Sequence, residues 1–183
     1  NIVFGGSGAN RTVTVTPVAN GNGGPVTITL SVNDGIATTS TTFTVTVTAV
    51  NDAPILNTAA SPTLGSVLEG ATNPSGVTVA SLVVDGSITD ADGAAVEAIA
   101  VTALDTSLGT WQWSADGTNW RTIDAALINS TTNELALLLG PTASLRLLPF
   151  GDLNGSLPTA ITFRAWDQST GTQGDYVVIT SPG

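Results

Sequence analysis

The 183-residue chain has no cysteine, no histidine, no methionine and no lysine. Without cysteine there are no disulfides, which fits an extracellular bacterial protein that does not rely on them. Without histidine, cysteine or lysine, neither a Ser-His-Asp triad nor a thiol or amine nucleophile can be assembled. Paired carboxylates remain for glycoside hydrolysis, but almost every Asp falls in a turn context, so no enzyme is expected. Positive charge is scarce as well. Four arginines against fourteen acids leave a net charge of -10, and no basic patch is available for nucleic acid or anionic lipid. No apolar run approaches the roughly 20 residues of a membrane-spanning helix. No secretory leader is visible and there is no initiator Met, so an excised or processed segment is expected.

What is present is Gly, Thr, Ser, Asn and Val, with Pro spread along the length. Runs of Leu, Ala, Glu and Lys that would favour helices are missing. Short Thr/Val-rich stretches between Gly, Asn and Asp clusters predict an all-β protein built from antiparallel β-sandwiches. The spacing predicts strands near 41–50, 77–84, 96–104, 109–114, 119–124, 135–139, 144–148 and 176–180.

A degenerate repeat organises the chain. Residues 11–35 (RTVTVTPVANGNGGPVTITLSVNDG) align with residues 144–168 (SLRLLPFGDLNGSLPTAITFRAWDQ). Val13 and Val15 match Leu145 and Leu147, Pro17 matches Pro149, and Asn22-Gly23 matches Asn154-Gly155. One inserted residue later, Ile28, Leu30, Val32 and Asp34 match Ile161, Phe163, Ala165 and Asp167. Each copy reads as strand, Pro, Asn-Gly turn, strand, acidic turn. Two units are expected, 1–53 and 54–183. The first lacks its N-terminal strands, and the last strand of the second is a stand-in or incomplete.

Between them lies TVTVTAVNDAPIL (44–56), where clean alternation stops at Asn51-Asp52-Ala53-Pro54. FTVTVTAVNDAP resembles the strand and linker that end cadherin-like repeats, found in tandem in giant bacterial surface adhesins of the VCBS or RTX type. ITDADG (88–93), WQWSADGTNW (111–120) and ITFRAWDQSTGTQG (161–174) resemble a second repeat type of the same proteins. The resemblance implies tandem Ig-like or cadherin-like sandwiches at the cell surface, acting as spacers and adhesion modules, many stiffened by calcium at the junctions.

Calcium takes six to eight oxygens, several of them carboxylate. Asn51 and Asp52 supply oxygens at the junction, Asp90 and Asp92 can point to one side of a loop, and Asp34 and Glu69 are further donors. The competing reading is that these are ordinary turn residues. Cadherins use a longer, more acidic junction and a Glu motif in the preceding domain, which this chain does not show.

Trp111, Trp113 and Trp120 sit around one turn, SADGTN. Three indoles there read either as a sugar-stacking platform for surface glycans or as a core cluster closing one end of a sandwich, and core is the commoner use. Partners are therefore neighbouring repeats or other copies of the chain, with glycans behind the tryptophans. The main alternative is a head-to-tail filament in which one copy supplies strands missing from the next.

Overall fold

In a computed structural model the described residues are 1–60, 62–93, 97–130 and 134–179. The chain divides into two compact units, Asn1–Asp52 and Ala53–Gly183.

The first unit contains two hairpins. β1 (Ile2–Ser7) pairs antiparallel with β2 (Asn10–Val15), and β3 (Gly23–Asn33) with β4 (Thr38–Val47). Alternation sorts each hairpin into an apolar and a polar face. Ile28 lies opposite Phe43 and Val26 opposite Val45, while Thr27 faces Thr44 and Thr29 faces Thr42. Asp34 closes the β3–β4 turn, its Oδ1 accepting from Ile36 N–H (2.9 Å) and Ala37 N–H (2.8 Å). No residue of this unit is buried: Ile28, Leu30, Phe43, Val45 and Val47 are half-buried, and Phe4 is 74% exposed. The unit has sheet patterning without a sheet core.

The second unit has the core. Its strands are β5 (Ile55–Leu56), β6 (Val77–Thr78), β7 (Ile88–Thr89), β8 (Ala98–Leu104), β9 (Gly109–Ser114), β10 (Arg121–Thr122), β11 (Leu135–Leu139), β12 (Ser144–Pro149), β13 (Ile161–Trp166) and β14 (Tyr176–Val178). Two four-stranded antiparallel sheets, β10-β9-β12-β6 and β13-β8-β11-β14, enclose it, and β5 pairs with β7. Trp111, Trp113 and Leu145 come from one sheet and meet Ile99, Val101, Leu137 and Leu139 from the other. Both faces of β8 and β11 are covered, since Ala98, Ala100, Ala136 and Leu138 form a second cluster with Trp166. That explains why these strands read as continuous apolar runs.

Four expectations are corrected. The predicted strand at 77–84 is strand only at Val77–Thr78 (β6) and then becomes a helix, α1 (Val79–Leu82), because Thr78 Oγ1 accepts from Ser81 N–H (3.2 Å) and caps it. A second helix, α2 (Ala125–Ile128), follows β10, capped by Asp124. Neither Asn-Gly pair makes a hairpin: β2 and β3 lie in different ladders, as do β12 and β13. Finally, β14 pairs with β11 rather than β13, so it is not the counterpart of β4. Residue 180, the end of the last predicted strand, lies outside the described residues, as does residue 96 of the 96–104 strand. Among the described residues no helix is long and apolar enough to cross a membrane.

Candidate functional site

The candidate calcium donors were Asn51, Asp52, Asp90, Asp92 and Asp34, with Glu69. Asn51 Nδ2 donates to Asp52 C=O (3.0 Å). Asp90 Oδ1 accepts from Asp92 N–H (2.8 Å), a turn held by its own side chain. Asp34 is engaged in the same way, and the N–H groups of Ala37 and Ile36 hold its carboxyl below the usual range. Glu69 Oε2 accepts from Asn154 Nδ2 (3.3 Å). Among the described residues, no three Asp or Glu side chains come together as a metal-holding group.

Asp116 shows how the acidic turns work here. Its carboxylate accepts from Asn119 N–H (2.7 Å), Thr118 N–H (2.9 Å), Ser114 Oγ–H (2.8 Å) and Asn119 Nδ2–H (2.6 Å). These donors, the Asn119 N–H first, hold it far below the ordinary carboxylate range. The repeat partners Asp34 and Asp167 use the same device, for Asp167 Oδ1 accepts from Ser169 N–H (2.9 Å).

The tryptophan platform is corrected. Trp111 and Trp113 are 2% and 5% exposed, inside the sandwich. They sit at alternate positions of β9 on its inner face, and Trp111 Nε1 donates to Asp105 C=O (2.7 Å). Trp120 is half-buried, with the Arg146 guanidinium 4.0 Å from its ring centroid. Neither buried ring can stack on a sugar.

Arg146 was not singled out from the sequence. It is buried on β12, donating through Nε to Gln112 Oε1 (2.8 Å) and through Nη1 to Asn73 Oδ1 (2.7 Å) and Pro74 C=O (3.1 Å). Its position two residues before Leu148-Pro149 looks like any strand residue. The signal was an arginine inside an otherwise apolar run (LRLL). Asn129 also has a structural task. Its side chain donates to Leu104 C=O and accepts from Leu104 N–H, both at 2.9 Å, clamping the end of β8.

An open cleft beside this clamp is lined by Thr102, Asp105, Asn129, Glu134 and Thr162. Ser107 N–H (2.9 Å) holds the Asp105 carboxyl below the ordinary carboxylate range. Comparison with protein-family models, with curated proteins and with solved structures finds no match.

Proposed function

We propose that this chain is a structural and adhesive repeat segment of a large bacterial surface protein, with cadherin-like or Ig-like sandwich units in series. One observation supports the reading: the same strand–Pro–Asn-Gly–strand–Asp order recurs in both units. Within each copy the two repeat strands fall in different ladders, β2 and β3 in the first unit and β12 and β13 in the second, and each copy ends in an aspartate whose Oδ1 accepts from the N–H two residues on. Mechanism here is mechanical. The long ladders of a sandwich resist extension because their hydrogen bonds must break together.

Pulling the chain by its ends tests this. Unit 2 should release as one cooperative event at a defined force, and unit 1 should extend at low force. Featureless extension of the whole chain refutes the reading.

Calcium at the junction is a separable part of the proposal and rests on Asn51 and Asp52 at the boundary, with Asp90 and Asp92 as an Asp-x-Asp in the unit that follows. A ligand that binds only the folded state raises stability with its concentration. Melting in calcium against chelator should show a shift, and coincident curves remove calcium while leaving the mechanical role intact.

The filament alternative is favoured by the first unit, in which no residue is buried. Two-stranded ribbons are marginal alone in water, so strands from elsewhere would complete it.

A further inference from the structure

The repeat makes β3 and β13 counterparts, and their neighbours differ. β13 ends its sheet with β8 as partner, whereas β3 is partnered by β4. The question is whether β8 and β4 occupy the same edge of this strand type or opposite edges.

Backbone geometry answers it. In a strand of L-residues, the face to which a side chain points fixes the edge to which its own N–H and C=O point. Asp34 N–H donates to Ala37 C=O (3.3 Å), which makes 34/37 a hydrogen-bonded pair. Counting back by twos along the register, Val32, Leu30 and Ile28 turn their backbone groups toward β4. In unit 2, Asp105 N–H donates to Ala160 C=O (3.0 Å). By the same count Thr162, Arg164 and Trp166 turn toward β8, and the register shift there leaves the parity of β13 intact. Ile161, Phe163 and Ala165, which face the core, therefore turn to the other edge. They are the repeat partners of Ile28, Leu30 and Val32. β4 and β8 thus occupy opposite edges of equivalent strands.

We infer that the free edge of β13 is a docking site for an extended strand of another polypeptide, antiparallel to β13 and patterned like β4. Its occupant carries large apolar side chains at alternating positions with threonine between, as in TTFTVTV (41–47). Three observations select that chemistry. Among the described residues, the backbone groups of Ile161, Phe163 and Ala165 on this edge have no backbone partner. Those three side chains are only half-buried at the margin of the core, so an added apolar row would extend it. And β4 shows what the equivalent edge accepts: Phe43 and Val45, whose side chains share the apolar face, are also the residues that hydrogen-bond β3. β5 runs near β13 but pairs with β7, and β14 is taken by β11. Strand addition of this kind draws affinity from main-chain bonds and selectivity from alternate side chains.

The test uses the full chain and a labelled synthetic peptide of residues 36–49, followed by anisotropy and by amide shifts of the β13 residues. Saturable binding that perturbs Phe163 and Ala165 is expected. Peptide N-methylated at Phe43 and Val45 should bind about tenfold or more weakly, since it loses the ladder donors. The same peptide N-methylated at Thr42 and Thr44 should bind within about threefold, because those N–H groups point away. Ala165→Pro, which removes a donor only on the free edge, should abolish binding while leaving the β8 ladder and the melting transition in place. Absence of saturable binding, or equal loss for the two N-methylated peptides, overturns the inference.

Discussion

Replacing Trp111 by alanine separates a core tryptophan from a binding one by magnitude alone. The indole is 2% exposed, and its ring sits among side chains from both sheets. A buried tryptophan removes about 150–250 Å² from water, worth roughly 4–6 kcal/mol at about 25 cal/mol per Å². Compaction of the unfolded chain trims this by about 10–40%, giving about 3–5 kcal/mol, the range seen for large-to-small core changes. Domains are stable by only about 5–15 kcal/mol, so Trp111→Ala should remove roughly a fifth or more of the stability of unit 2. Trp111→Phe keeps most of the area but leaves the Asp105 carbonyl without its indole donor, and should cost about 1–3 kcal/mol. Urea unfolding followed by far-UV circular dichroism reads both changes without depending on tryptophan emission. A loss below about 0.5 kcal/mol for the alanine variant, typical of surface sites, would refute the burial argument.

Gly174 adopts φ +93°, and a Cβ there would stand 2.7 Å from Trp113 Cη2. Gly174→Ala should destabilise unit 2 by about 1–3 kcal/mol in the same urea assay, from backbone strain and overpacking together. Asp116→Ala should lower the melting temperature at pH 7. The folded-state pKa of Asp116 is depressed, so its contribution is fully present above the unfolded value of 3.8 and fades as pH falls below it. Melting temperatures of variant and parent should therefore converge in acid, and a gap unchanged down to pH 2 would argue against the hydrogen-bonded carboxylate. Amide exchange should separate the two units. β1–β4, with no buried residue, should exchange orders of magnitude faster than β8 and β11, which are covered on both faces. Equal protection would mean that unit 1 is completed in solution.

Much of the β architecture could be read from local pattern. The alternation of Thr with Val in β4, and the apolar runs of β8 and β11, follow from how many faces of a strand are covered. The shared Asp34 and Asp167 turns were legible for a similar reason, because a side chain that accepts from the N–H two residues on acts within its own turn. The two helices escaped notice because each is one turn long and is set by its cap, Thr78 or Asp124, rather than by propensity over a window. Arg146 and Asn129 escaped because their partners lie 34 and 25 residues away.

Composition and alternation by themselves determined that this chain makes strands, that it presents threonine on one face of its first unit, and that no histidine, cysteine or lysine side chain is available to it. Those properties belong to residue types and to the two-residue period of a strand. Only the tertiary structure decided which edge each strand offers and which side chains are sealed away: that β14 joins β11, that Trp111 and Trp113 turn inward, and that β13 has a strand partner on one edge only among the described residues. Ladder partners are chosen by competition among distant segments for the same backbone groups, and that competition leaves no mark on any single stretch of sequence.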